Sequence, residues 1–162
     1  MLKHTLAAFA AATLFASVAA AESPSKLTLS GDITIEQAQK VLKAAEEKAR
    51  QQETLMNIAV VDAGGNLKAF SRMDGAFLGS IDISIRKAKT ARLFNMSSKE
   101  LGDLAKPGQP LYGIEVTNGG LTIFGGGELI RDKTGTIIGA IGVSGSSVEN
   151  DMAVAAAGSS GL

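Results

Sequence analysis

The chain lacks cysteine and tryptophan, and among its 162 residues it has three prolines, one tyrosine and a single histidine, His4. Each absence removes a class of chemistry. Without cysteine there are no disulfides, no thiol nucleophile and no structural zinc ribbon. His4 falls inside a stretch that reads as a removable leader, so the rest of the chain has no histidine. That excludes Ser-His-Asp and Cys-His catalysis, the usual zinc sites, histidine-ligated haem and a histidine switch near neutral pH. A metal would have to sit on carboxylates, methionine, Tyr112, a lysine or backbone carbonyls. An excess of charge is also missing, with 16 Lys and Arg against 16 Asp and Glu. Nothing in that balance favours nucleic acid or an acidic membrane surface.

What is present begins with the leader. Lys3 precedes an almost wholly apolar run, Leu6 to Val18, and Ala19-Ala20-Ala21 suits a small-residue cleavage site. This is the layout of a secretory signal peptide over residues 1–21. The apolar run is shorter than the roughly 20 residues a spanning helix needs, and no comparable run follows. The expectation is an exported protein, periplasmic or secreted, with no membrane span after cleavage. Removing 21 of the 162 residues leaves 141, and the loss of Lys3 leaves a net charge of −1. That length suits one domain with a real core. Residues 22–33 read as a flexible lead-in and residues 34–162 as the domain.

Thr34-Ile35-Glu36-Gln37 has the pattern of a capping box, and Ile35, Ala38, Val41, Leu42, Ala45 and Ala49 recur at helical spacing. One amphipathic helix is expected over 35–53. Residues 56–62 and 67–72 read as paired strands around Asp62-Ala63-Gly64-Gly65-Asn66, a hairpin turn. Asp132-Lys133-Thr134-Gly135-Thr136 repeats the Asp-x-x-Gly phrase between strands expected at 128–132 and 136–144. Asp62 and Asp132 therefore read as turn caps. Leu78–Asn95 is a second helix on the spacing of Ile81, Ile85, Ala88 and Ala91, and Arg86, Lys87, Lys89 and Arg92 lie in its second half. Ser97 and Glu100 open a short third helix, and Ser146-Ser147-Val148-Glu149 opens a last one. Between them, residues 111–127 hold six glycines without any phosphate-loop pattern, and read as a strand region admitting bulges or close approach. Hairpins without crossovers imply an antiparallel sheet with helices packed on it, an α+β domain.

Three phrases, "VVDAGGNLKAFSRMDGA", "RKAKTARLF" and "IIGAIGVSGSSVENDMAVAAAG", run in order along nearly the whole mature chain. In these the sequence resembles the GlcG/HbpS family, also called DUF336, of haem-degrading or haem-binding domains. The resemblance implies a profilin-like fold, a five-stranded antiparallel sheet between helices. It also implies a homo-oligomer and, in some members, binding of haem or a corrinoid. The resemblance covers Arg72, Asp74 and Lys87, which with Arg92 and Tyr112 form the expected ligand-binding set. Arginine and lysine would engage propionates, with Phe77, Leu78 and Tyr112 as an apolar wall. The other reading of Arg72 and Asp74 is a salt bridge between strand end and loop.

Met73 or Tyr112 could ligate a haem iron. The segment Ser144-Gly145-Ser146 could offer backbone N–H groups to an anion, or simply cap the last helix. Two other functions stay open. An enzyme of small-carboxylate or haem metabolism would need Asp74, Glu115, Tyr112 or a lysine as acid or base. A sensing or scaffold oligomer would need none.

Overall fold

The computed structural model describes residues 29–162, so the expected signal peptide lies outside the described residues. Packed structure already begins at Asp32 and Ile33, within the segment expected as a lead-in. Ile33 is fully buried and its N–H donates to the Ile138 carbonyl, while Asp32 accepts from the Ala63 N–H and from Lys68.

Helix α1 spans Ile35–Gln51 and starts on the expected capping box. The Thr34 hydroxyl accepts from the Gln37 N–H, and the Gln37 side chain accepts from the Thr34 N–H. Its buried stripe is Ala38, Val41, Ala45 and Ala49. Strands β1 (Asn57–Val61) and β2 (Leu67–Arg72) form the first hairpin. Asp62 makes its turn by accepting from the Gly64 and Asn66 N–H groups, both at 2.8 Å. Helix α2 spans Gly79–Phe94 and ends at Asn95, whose left-handed backbone (φ 53°) stops it. Helix α3 spans Ser98–Leu104 on the Ser97–Glu100 capping box. Strands β3 (Gly127–Arg131) and β4 (Ile137–Ser144) form the second hairpin, where Asp132 accepts from the Thr134 and Thr136 N–H groups. Helix α4 spans Val148–Ser159. Its cap is Ser147, accepting from the Asn150 N–H, one residue later than the sequence pattern suggested.

The sheet order is β2-β1-β4-β3 with every neighbour antiparallel. Strands β1 and β4 lie in the middle and are covered on both faces, which is why they read as unbroken apolar runs. Ile58, Val60, Ile141 and Val143 face α1 and α4, packing with Val41, Ala45 and Val154. Ala59, Val61 and Ala140 face α2, against Ala88 and Ala91. The α2 face is built from small residues, so helix and sheet approach closely. At Gly142 a Cβ would run into the Ser84 carbonyl and the Ala88 N–H.

The sheet has four strands among the described residues, not the five implied by the resemblance. The region expected to supply another strand, 111–127, forms one short 3-10 turn, Ile114–Val116, and otherwise irregular backbone until β3 starts. The cause is local. Gly113, Asn118, Gly119, Gly120 and Gly126 all take positive φ, which breaks the extended alternation a strand requires.

Candidate functional site

The irregular segment that replaces the expected strand is pinned down hard. At Gly102 of α3 a Cβ would collide with the Ile123 carbonyl, so the bare helix face lets residues 121–125 lie directly against it. Ser98 fixes the same segment by donating to the Phe124 carbonyl (2.7 Å) and accepting from the Gly127 N–H (2.9 Å). On the α2 side Thr90 accepts from the Thr122 N–H, and Arg86 donates to the carbonyls of Gly119 and Gly120. The loop after α3 is closed by the Leu111 N–H donating to the Leu104 carbonyl.

Between that loop, the pinned segment and the start of α4 lies a groove of about 510 Å³, inside the range of about 300–1,000 Å³ that small-molecule sites span. Ile123, Phe124, Val148 and Pro107 give it apolar walls, and Tyr112 stands at its side with its ring largely exposed. Lys99 and Lys106 flank the rim, each 2.7 Å from Asp103. Hydrogen bonds from Lys106 and then Lys99 hold the Asp103 carboxyl down at about 2. The two lysines share one aspartate, which puts two cations at the rim. Glu115 also lines the groove, and its Oε2 is buried with no hydrogen-bond partner.

Behind the groove lies a buried ion pair. The ammonium of Lys87 sits 2.7 Å from Asp151 Oδ2 and 2.9 Å from the Val143 carbonyl, with no exposed surface. It also lies 4.7 Å from the centroid of the Phe124 ring. Burial pushes the lysine below its ordinary range against the pull of Asp151, and pushes Asp151 above its own against the pull of Lys87.

The structure does not gather the expected ligand-binding set. Tyr112 alone lies in the groove. Lys87 offers no surface to a propionate, because its ammonium is enclosed and already paired. Arg92 donates to Asn95 Oδ1 at 2.6 Å across the end of α2. Arg72 and Asp74 are exposed at the far end of β2, where with Arg50 and Leu55 they line a separate hollow of about 410 Å³. No salt bridge joins them among the described residues, so the alternative reading of that pair is not realised either. Met73 packs on the core and its sulfur accepts from the Met56 N–H, which commits it to structure. Phe77 and Leu78 are exposed where α2 begins and are not among the groove residues. In the proposed anion cradle the Ser146 N–H is taken by Asp151 Oδ1.

Sequence reasoning missed Phe124, Val148, Ile123, Lys99 and Lys106. Only Phe124 carried a signal, as an aromatic directly before three glycines. Among the described residues no group of three or more acidic, histidine or cysteine side chains is placed to hold a metal, and no helix is long and apolar enough to cross a membrane.

The chain is similar to known proteins in sequence and in fold. The family model described as "Haem degrading protein HbpS-like" matches residues 33–160. The corrinoid adenosyltransferase PduO of Salmonella typhimurium is 38% identical over 141 residues, 85% of this chain but only 41% of that enzyme. Among solved structures, the Klebsiella pneumoniae protein ORFY superposes with a TM-score of 0.78 at 37% identity, covering 86% of this chain and 97% of that one. A PduOC:heme complex superposes with a TM-score of 0.76 at 33% identity, covering 81% and 95%.

Proposed function

This chain belongs to the HbpS-like family, and on that premise we propose that it binds haem, or a related tetrapyrrole, in the groove between α3, the pinned glycine-rich segment and the start of α4. The observation that carries the reading is the groove's lining. A tetrapyrrole needs apolar cover for its faces and cations for its carboxylates, and here Ile123, Phe124 and Val148 lie below a rim bearing Lys99 and Lys106. The neighbour solved as a PduOC:heme complex supports the ligand class.

The residues present fit such a group without histidine. Lys99 and Lys106 would engage the propionates, each by loosening its hold on Asp103. The Tyr112 phenol is the groove's oxygen donor for iron. When bound, haem would supply a redox-active iron centre, with Tyr112, Lys99 and Lys106 as the residues that would hold the group. The unpaired Glu115 oxygen would accept a hydrogen bond from a ligand N–H or O–H, or from a water carried in with it. A corrinoid is the second ligand class, favoured by the PduO relative; its periphery is largely amide, so it makes less use of the lysine rim.

The same reading takes the protein as exported, on the strength of the leader pattern, and as a homo-oligomer. Phe77 and Leu78, 70% and 71% exposed, are apolar surface that a second copy would cover. Titrating haemin into the purified mature protein and following the Soret band tests the ligand. A saturable shift is expected, weakened when Val148→Glu places a carboxylate in the apolar wall. No saturable shift in the unaltered protein sinks the haem reading, and a shift with cyanocobalamin alone moves the assignment to corrinoids.

A further inference from the structure

We propose that Lys87 and Asp151 act as a positioning pair for the groove, the lysine fixing the ring of Phe124 and the aspartate fixing the head of α4 that carries Val148. The inference rests on the groove being the ligand site.

Phe124 is 44% exposed, so packing alone does not immobilise its ring. Its other face lies over the Lys87 ammonium, 4.7 Å from the ring centroid. A cation stripped of water beside an aromatic face is attracted to it more strongly than an exposed one. The lysine is itself held still by the Asp151 carboxylate and the Val143 carbonyl at the end of β4. Gly126 is part of the same device, because a Cβ there would come within 2.8 Å of the ammonium.

Asp151 uses its two oxygens on two different elements. Oδ2 takes the lysine from α2, and Oδ1 accepts from the Ser146 N–H, two residues before Val148. One carboxylate thus ties α2 to the loop that launches α4. The pair sets where two lining elements of the groove stand, although neither of its members lines the groove. A fully buried ion pair adds little to stability compared with apolar residues of similar shape. Placement of the walls gives it a reason to be there.

The test replaces the pair by apolar residues, Lys87→Met with Asp151→Leu, and follows two signals. In the ligand-free protein, the ring resonances of labelled Phe124 are expected to collapse toward averaged, mobile values while the thermal midpoint falls less than in either single variant. Haemin binding is expected to weaken about tenfold, as loss of a desolvated cation–π contact implies. Ring resonances unchanged by the double substitution overturn the positioning role and leave the groove reading intact. Loss of ring order in a protein that never bound haemin supports the pair's hold on Phe124 and sinks the groove's ligand instead. Should the double variant not fold, fluorinated phenylalanines at position 124 test the same contact in the unaltered backbone. Stepwise loss of ring order with increasing fluorination is expected, and a flat series refutes the contact.

Discussion

Lys87 Nζ and Asp151 Oδ2 lie 2.7 Å apart, with side chains 0% and 3% exposed, and join α2 to α4 across the end of β4. Removing one partner strands a charge in a place without water. Asp151→Ala or Lys87→Ala should therefore each cost about 3–5 kcal/mol, whereas Lys87→Met with Asp151→Leu should cost less than either, because only the Val143 carbonyl and the Ser146 N–H then lose a partner. Chemical denaturation of the three variants checks this, and the contrast between single and double replacement is the informative quantity.

Gly142 has a different constraint, since the α2 backbone at Ser84 and Ala88 occupies the space a side chain would need. Gly142→Ala should destabilise by about 1–3 kcal/mol or more through overpacking. Gly79→Ala, at the first residue of α2 with nothing within 4 Å, should stabilise by about 0.4–1 kcal/mol. Thermal midpoints of the two variants should move in opposite directions.

The two Asp-x-x-Gly turns share a pattern but not an environment. Asp62 is buried and Asp132 is not, and each accepts two backbone N–H groups. Asp62→Ala should cost about 1–3 kcal/mol, because its part-buried hydrogen bonds are less open to replacement by water, and Asp132→Ala less, because its bonds are exposed. Urea midpoints should rank the variants in that order.

Glu128 on β3 supplies a pH signature. Burial first, and then the nearby Glu100 carboxylate, push its carboxyl above the ordinary value of 4.5. The folded state thus holds this proton more tightly than the unfolded chain. Its contribution to stability is undiminished below the unfolded value and declines as pH rises from there through the folded one. Glu128→Gln should raise stability at neutral pH and flatten the pH dependence of the thermal midpoint above pH 4.5. An unchanged slope in the variant contradicts the assignment.

Much of this fold was legible because local signals agreed with one another. Thr34 and Gln37, Ser97 and Glu100, and the two aspartate turns each point to one geometry, and each takes it. The strand count failed where the signals conflicted. Residues 111–127 read as a glycine-rich strand region, but Gly113, Asn118, Gly119, Gly120 and Gly126 at positive φ decided the backbone. The site was harder still. Lys87 looks like one of a row of surface cations, yet α2 buries its Ser80, Ser84, Lys87, Ala88 and Ala91 side, and leaves Ile81 and Ile85 only partly covered. Small and polar residues on the inner face are what let the helix lie close to Gly142. Hydrophobic periodicity finds the Ala88 and Ala91 part of that face and misses Ser80, Ser84 and Lys87. The groove joins Lys99, Tyr112, Phe124 and Val148, whose convergence depends on Gly102 and Ser98 seating one loop on a helix. Spacing along the chain does not encode such a contact.

The most direct measurement is a side-by-side haemin titration of the unaltered protein, Val148→Glu and Arg72→Ala, following the Soret band. A ligand seated in the groove requires saturable binding that Val148→Glu weakens strongly and Arg72→Ala leaves unchanged. Binding lost in Arg72→Ala and kept in Val148→Glu would contradict the account and move the site to the hollow at the end of β2.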